Sequence, residues 1–298
     1  MKHLSHSQIN KFNTCKKQYK YSYIDNLRPK KTAVYLDHGR LVHRGLEHLW
    51  QQGDLQATLD LIKKSIDEID TNHFNEKEFK EFNFLKTCVI SQISVYHDSY
   101  YLNDKSLGWK ALELEKKYQM PIAHPYLNLE DWDYEYQFIA DGVFEDKDGK
   151  LWLMEYKTAS QLGDNYWLRL QFDSQVTGNL MYLEAIYGKK FEGCKYRVLK
   201  KPGIRQKQKE TDIEFLSRLE DLFTGQVGDY LIEATLYRTE AEIDEFRHEL
   251  WDSTQDIKNT VECGGYYKNT SACILRNCQF IGICADVPGS SNDFEVKL

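Results

Sequence analysis

Apolar side chains recur along this chain with two different periods. After Ser5 or Ser7, either of which can cap a helix, Ile9, Phe12, Cys15, Tyr19 and Tyr23 follow at helical spacing, and Pro29 stops the run. Further helices are predicted from about His38 to Gln52, ended by Gly53, and from Asp54 to Asp70. A long one is predicted from Glu76 to Leu102, with Phe79, Phe82, Leu85, Val89, Ile93 and Tyr96 on one face. The period then falls to two. Trp109 to Met120 sets Leu112, Leu114 and Lys116 against Glu113, Glu115 and Lys117, which predicts a strand. Phe138 to Phe144 is a second strand, Asp146 to Gly149 a hairpin turn, and Leu151 to Tyr156 a third strand. A helix from Asp164 to Tyr187, closed by Gly188, leads to a strand at Tyr196–Leu199. Helices are predicted over Glu210–Leu231 and Glu240–Cys263, and the tail from Gly264 is irregular.

Antiparallel strands followed by a crossover helix and another strand imply an α/β fold, a mixed central sheet flanked by helices. We read residues 1–298 as one domain, with an N-terminal helical cap over 1–105, a core over 106–235, and a last helix with a cysteine-bearing tail over 236–298. With 298 residues, 41% of them apolar, the chain can bury a sizeable core. No stretch reaches the ~20 apolar residues of a membrane span, and Met1 to Asn10 lacks the apolar centre of a signal peptide. The expected setting is the cytoplasm.

Net charge is −7, which does not by itself suggest a nucleic-acid partner. Binding depends on local fields, however. Lys11–Lys31 holds seven Lys or Arg against Asp25, and Lys195–Lys209 holds seven and no acid, including Lys200, Lys201 and Arg205. Either stretch is also what a solvated surface looks like.

The chemistry concentrates in the predicted hairpin. Asp141 ends one strand, and Glu155 and Lys157, two apart on the next, share a face. Two carboxylates in otherwise apolar strands cost several kcal/mol if buried unpaired. A hard divalent cation, Mg²⁺ or Mn²⁺, relieves that cost. It could acidify a water and offset charge on a phosphodiester, with Lys157 steadying the developing negative charge. The competing reading is an Asp in a turn beside a Glu–Lys pair on a solvated strand.

The wider context resembles the RecB-like PD-(D/E)xK nucleases. "LSHSQINKFNTCKKQYKYSYI" is similar to the family's opening helix and "HGRLVHRGLEHLW" to its Gly-x-x-x-His motif, at Gly39 and His43. "IADGVFED" and "LWLMEYKTAS" resemble the motifs that carry Asp141, Glu155 and Lys157, and "LQFDSQVTGNLMYLEAIYG" the last helical motif, at Gln175. The resemblance spans nearly the whole chain. It implies a restriction-endonuclease-like core, with His43, Asp141 and Glu155 as metal ligands. Lys157 would be catalytic, and Gln175 would position the lysine or a DNA phosphate. His38 and His48 are weaker candidates. Where the family usually has Tyr four residues after the Gln, this chain has Asn179, with Tyr182 one turn away.

Seven cysteines are present, and Cys273, Cys278 and Cys284 crowd the tail. Clustered thiolates in a cytoplasmic protein point to zinc or iron–sulfur chemistry rather than disulfides. The iron–sulfur subset of the family pairs one N-terminal cysteine with three C-terminal ones. The resemblance therefore implies a four-iron four-sulfur cluster on Cys15, Cys273, Cys278 and Cys284, with zinc the alternative. Cys263 is an outside candidate, and Cys88 and Cys194 read as ordinary cysteines. The implied activity is a DNA nuclease acting from a free end in recombination or repair, in a bacterial or phage-infected cell. No Walker A motif is present, so strand unwinding would need a helicase or recombinase partner. A catalytically inactive DNA-binding scaffold is the main alternative, and a regulatory protein using only its cysteines is another.

Overall fold

Elements follow the chain as its capping residues dictate. Residues 2–30, 34–72, 74–275 and 278–297 are described by the computed structural model. Strand β1 (Lys2–Leu4) leads into α1 (His6–Thr14), which opens on a capping box between Ser5 and Gln8. The helix predicted through Tyr23 breaks at Cys15, whose backbone is extended. It resumes as α2 (Lys16–Tyr19) and a π turn, before β2 (Leu27–Pro29). Three helices follow: α3 (Val34–Gln52), α4 (Leu55–Asp67) and α5 (Glu76–Tyr96), the last running through a π turn into α6 (Leu102–Ser106). Then come β3 (Lys110–Ala123), β4 (Glu130–Glu145) and β5 (Leu151–Ala159). The single helix predicted over Asp164–Tyr187 is two, α7 (Asp164–Leu170) and α8 (Ser174–Tyr187). Asp173 leaves helical geometry (φ −73°, ψ 98°) and caps α8 through the Gln175 and Val176 amides. After β6 (Phe191–Lys200), the helix predicted to reach Leu231 divides into α9 (Asp212–Gly225) and α10 (Val227–Tyr230), and Leu231–Leu236 is strand β7. The chain ends with α11 (Glu240–Cys263), α12 (Thr270–Leu275), α13 (Ile281–Cys284) and β8 (Phe294–Val296).

These elements form two compact units. The central unit comprises Ala33–Lys116 and Ile139–Arg238. Its strands run in the order β4-β5-β6-β7. β4 and β5 are antiparallel (Gly142↔Met154, Glu145↔Leu151), β5 and β6 parallel (Glu155↔Tyr196), and β6 and β7 antiparallel (Cys194↔Leu236). This is the expected mixed sheet, with α7 and α8 forming the crossover between the parallel pair. Helices α3, α4, α5 and α9 pack their apolar faces with Phe144, Met154, Tyr156 and Leu199 of the sheet in one core. Gly45 allows α3 to lie close on α5, since a Cβ there would come 2.3 Å from the Ile93 Cδ1.

Strand β3 departs from simple alternation. Trp109, Ala111 and Leu114 pack on the core, while Leu112 is 43% exposed. The inward face therefore shifts by one residue between Ala111 and Leu114, and Glu115 adopts a left-handed backbone (φ 45°).

The terminal unit comprises Met1–Thr32, Lys117–Phe138 and Thr239–Leu298. Here β1 pairs in parallel with β4 (Lys2↔Tyr134, Leu4↔Tyr136) and β2 in antiparallel with β8 (Leu27↔Val296, Pro29↔Phe294). Phe280 is buried between the rings of Tyr21 (5.4 Å) and Phe294 (5.2 Å). Among the described residues no helix is long and apolar enough to cross a membrane.

His38 belongs to the core of the central unit. Its Nε2 lies 2.9 Å from the Gln92 Oε1, and the Gln92 amide donates to the Lys200 carbonyl (3.0 Å). Since Gln92 presents its oxygen, Nε2 carries the proton, and the buried Nδ1 has no hydrogen-bond partner among the described residues. Burial, reinforced by the charge of Lys201 and only partly opposed by Gln92, pushes the His38 pKa down to about 3. The unfolded histidine takes up its proton below about 6.5 while the folded one stays neutral. Stability is thus whole above that pH and falls by about 1.4 kcal/mol per unit as pH drops from 6.5 toward 3. Urea unfolding as a function of pH is expected to show a shallower acid limb for His38→Asn than for the native chain. Parallel limbs would mean that His38 titrates normally when folded.

Candidate active site

The β4–β5 hairpin places the predicted triplet. Asp146 accepts the Asp148 (2.9 Å) and Lys150 (3.0 Å) amides at the turn, and Gly149 takes the positive φ (77°) that closes it. Beyond the paired residues, Asp141 on β4 faces β5, and its Oδ2 accepts the Tyr156 amide (2.8 Å). Gly142 follows because the Phe144 ring fills the space, 2.4 Å from where a Cβ would stand. Glu155 and Lys157 share one face, as the period of two requires, and the Lys157 ammonium donates to the Glu155 Oε2 (2.8 Å).

Glu155 is wholly buried. Burial first, then the charge of Asp141, raises its pKa, against the pull of Lys157 and Asn179. For Lys157, burial disfavours the charge, but Glu155 and Asp141 outweigh it and keep the ammonium protonated.

Helix α3 presents His43 to this hairpin. Its Nε2 lies 3.0 Å from the Tyr156 carbonyl oxygen, and its Nδ1 2.8 Å from the Glu115 Oε1 and 3.6 Å from the Asp141 Oδ1. Burial opposes a charge on the ring, but Asp141 and Glu115 raise its pKa to about 9. Ligand atoms of His43, Glu115 and Asp141 lie within 4.8 Å of one another. One imidazole nitrogen and converging carboxylates suit a hard or borderline divalent ion such as Mg²⁺ or Mn²⁺. The repulsion between two buried carboxylates is what such an ion would relieve, so the residues present fit it.

Helix α8 closes the site. Asn179 is fully buried and donates through Nδ2 to the Glu155 Oε1 (2.8 Å), while its Oδ1 has no hydrogen-bond partner among the described residues. It stands where the resemblance leads one to expect Tyr, and sequence reading gave it no role. Gln175 lies in the first turn of α8, half-buried. Arg238 staples that corner, donating to Thr177 Oγ1 (2.8 Å) and the Leu170 carbonyl (2.9 Å). Sequence reading also missed Glu115, set opposite Leu112 and Leu114 on a regular strand and given no role. Its signal is three-dimensional, the slip in β3. His48 is occupied elsewhere, paired with Thr58 Oγ1 (2.9 Å).

Of the basic stretch, Lys200 sits over the Tyr230 ring (5.7 Å), Lys201 is half-buried with its pKa lowered by that burial, and Arg205 is exposed.

The cysteines of the resemblance meet in the terminal unit. The Cys15 thiol accepts the Asn269 amide (3.4 Å), and the Asn269 side chain donates to the Thr14 carbonyl (2.8 Å). The Cys278 amide donates to the Cys273 carbonyl (3.3 Å). Burial pushes the Cys278 thiol up. The Phe280 amide opposes this, and Cys273, Cys15 and Cys284 add to the rise. Cys15, Cys273 and Cys284 thus each lie near enough to Cys278 to act on its charge. Cys263 ends α11 exposed, and Cys88 and Cys194 are buried in the central unit.

The profile described as the PD-(D/E)XK nuclease superfamily matches residues 3–285. No curated protein matches the chain. Among solved structures it is similar to one described as the crystal structure of SSO0001, at 15% identity and a TM-score of 0.28, over 66% of this chain and 86% of that one.

If Asn179 holds the Glu155 carboxylate, a third acid at that position should be poorly tolerated. Asn179→Asp is expected to cost the metal-free protein roughly 3 kcal/mol, the scale for an uncompensated buried charge. Saturating Mn²⁺ should recover part of the loss. Thermal unfolding with EDTA and with Mn²⁺ tests this, and an unchanged midpoint in EDTA would show that Asn179 does not face Glu155.

Proposed function

We propose that this chain, which belongs to the PD-(D/E)XK nuclease superfamily, is a metal-dependent deoxyribonuclease that works as an exonuclease from a DNA end. The observation that carries the reading is the Asp141–Glu155–Lys157 hairpin. Its acids are buried side by side, and its lysine is held charged against them. His43, Asp141 and Glu155 would hold the cation. When bound, it supplies Lewis-acid polarisation of the phosphodiester and a more acidic water.

The chain's own groups do the rest. The Lys157 ammonium lies where it can steady negative charge on a phosphate oxygen or orient the attacking water. Asn179 and Lys157 fix both oxygens of Glu155, and the Tyr156 amide fixes one oxygen of Asp141, so neither carboxylate must reorganise during reaction. Gln175, in the first turn of α8, would position the lysine or a DNA phosphate. Lys200, Lys201 and exposed Arg205 would add backbone contacts. The ordered motifs from Ser5 to Gln175 support the RecB-like, recombination or repair setting. With both acids and the lysine present, an active enzyme is favoured over an inactive DNA-binding scaffold.

Labelled linear DNA is expected to be degraded with Mg²⁺ or Mn²⁺ and spared with EDTA. Asp141→Ala and Lys157→Ala should each lower the rate by about 10³-fold or more while the fold is kept, the scale of losing one charge-stabilising group. Folded native protein that cuts neither linear nor circular DNA with either metal would sink the enzyme reading. Equal cutting of both would sink only the need for an end.

We further propose that Cys15, Cys273, Cys278 and Cys284 bind a four-iron four-sulfur cluster. Four thiolates match its ligand count. Four thiolates would also suit zinc, but the one N-terminal and three C-terminal cysteines of the family resemblance favour the cluster. Its role would be structural, joining chain ends about 260 residues apart. Anaerobically purified protein should be brown, with near-stoichiometric iron and sulfide, and Cys278→Ala should bleach it and lower its melting temperature. Colourless protein carrying one zinc would replace iron by zinc at the same cysteines.

A further inference from the structure

Glu115 is the side chain in the candidate site that neither the motif pattern nor the proposed ligand set uses. Its place is odd for a strand glutamate. Trp109, Ala111 and Leu114 fix a one-residue slip in β3, and the backbone at Glu115 turns left-handed (φ 45°), a conformation that costs a non-glycine residue about 1–2 kcal/mol. The outcome of that turn is that its carboxylate faces His43 rather than solvent, with the Oε1 2.8 Å from Nδ1.

The ring's other nitrogen decides which atom is available to a metal. Nε2 lies 3.0 Å from the Tyr156 carbonyl oxygen, which can only accept, so Nε2 carries a proton and donates. Nδ1 is then the atom of His43 left to bind, and it faces two carboxylates, Glu115 at 2.8 Å and Asp141 at 3.6 Å. Nδ1 and the two carboxylates thus converge on one place, where a cation would take the position of the Nδ1 proton. Glu155, by contrast, already has a hydrogen bond at each oxygen, from Asn179 and Lys157.

We infer that Glu115 is a ligand of the divalent cation, acting with His43 Nδ1 and Asp141. The inference rests on the cation site proposed above. The Tyr156 carbonyl orients the imidazole by accepting from its far nitrogen, the usual way a metal-binding histidine is held. The ligand set is thereby richer in carboxylate than the motifs alone provide, which suits Mn²⁺ or Mg²⁺ over softer ions.

The test measures Mn²⁺ binding directly, by the loss of the free-ion electron paramagnetic resonance signal, on protein without DNA. Asp141→Ala should abolish binding. Glu115→Ala and Glu115→Gln should each weaken it by about 100-fold or more, above the 10–100-fold typical of a residue that only orients a ligand. The glutamine variant is decisive. Its amide oxygen still accepts from Nδ1–H, so a residue that merely positions His43 would keep near-native Mn²⁺ affinity in Glu115→Gln, and that result would overturn the assignment. Melting curves in EDTA show whether each variant is folded, and a folded Glu115→Gln that binds Mn²⁺ weakly supports it. Native protein that binds no Mn²⁺, or Asp141→Ala that binds as well as native, would overturn the cation site itself.

Discussion

Two carboxylates held side by side in the interior of the central unit set the terms for everything around them. In a medium of low effective dielectric Asp141 and Glu155 repel each other, and burial together with that repulsion makes Glu155 resist ionisation. The surroundings are the donors that make the arrangement tolerable. The Lys157 ammonium and the Asn179 amide take the two oxygens of Glu155, and the Tyr156 amide takes one of Asp141. Asp141, together with Glu115, also draws His43 toward its charged form. Each of these groups answers a charge that would otherwise be stranded. An apolar core of equal volume would hold the sheet together more cheaply, so their assembly here is a matter of chemistry rather than of stability.

Tyr156 is where site and scaffold meet. Its amide holds Asp141 and its carbonyl faces His43, while its side chain points the other way, as alternation along β5 demands. There its hydroxyl meets Tyr96 (2.9 Å), which receives the Trp50 indole (3.1 Å) and Arg197 (3.0 Å). Both Tyr96 acceptor positions are filled, so Tyr96 donates to Tyr156. Arg197 is fixed in turn by Asp104 (2.6 Å) and Glu233 (2.7 Å). A residue between two catalytic candidates is thus pinned by a buried network reaching α3, α5, α6, β6 and β7. That is the kind of support needed to hold reacting groups to within a fraction of an ångström.

What could be read from the sequence follows the reach of local rules. The hairpin, its turn and the shared face of Glu155 and Lys157 depend on neighbours within a few residues, and they were legible. So were the helices over Val34–Tyr96, because one apolar stripe each suffices to show them. The split at Asp173 was missed because apolar residues continue on both sides of it, and only the side-chain cap marks the break. Strand β7 was missed because Leu-Ile-Glu-Ala-Thr-Leu is too short to establish a period, and its conformation comes from pairing with β6. Glu115 was given no role because Leu-Glu-Leu-Glu alternates perfectly and sets it opposite the leucines. The slip that turns it inward comes from how Trp109, Ala111 and Leu114 pack. Asn179 was visible as a departure from the expected Tyr, but its hydrogen bond to Glu155 is not a property of the helix that carries it.

The break at Cys15 follows the opposite logic, since there a local rule is overridden. Ile9, Phe12, Cys15, Tyr19 and Tyr23 would make one amphipathic stripe if the helix ran on, and the chain instead goes extended at the cysteine before resuming. What the break adds is direction. It brings the thiol to the Asn269 amide, the Thr14 carbonyl to the Asn269 side chain, and the Lys17 amide to the Tyr267 carbonyl (3.1 Å). These contacts bind the first helix of the chain to the segment just before Cys273. Backbone bonds to that segment would be too few to order it alone, since loop closure over some 250 residues costs several kcal/mol of chain entropy. The interruption at Cys15 therefore serves to tie the first helix to the segment that leads into Cys273, which is what the proposed cluster would require of the two chain ends.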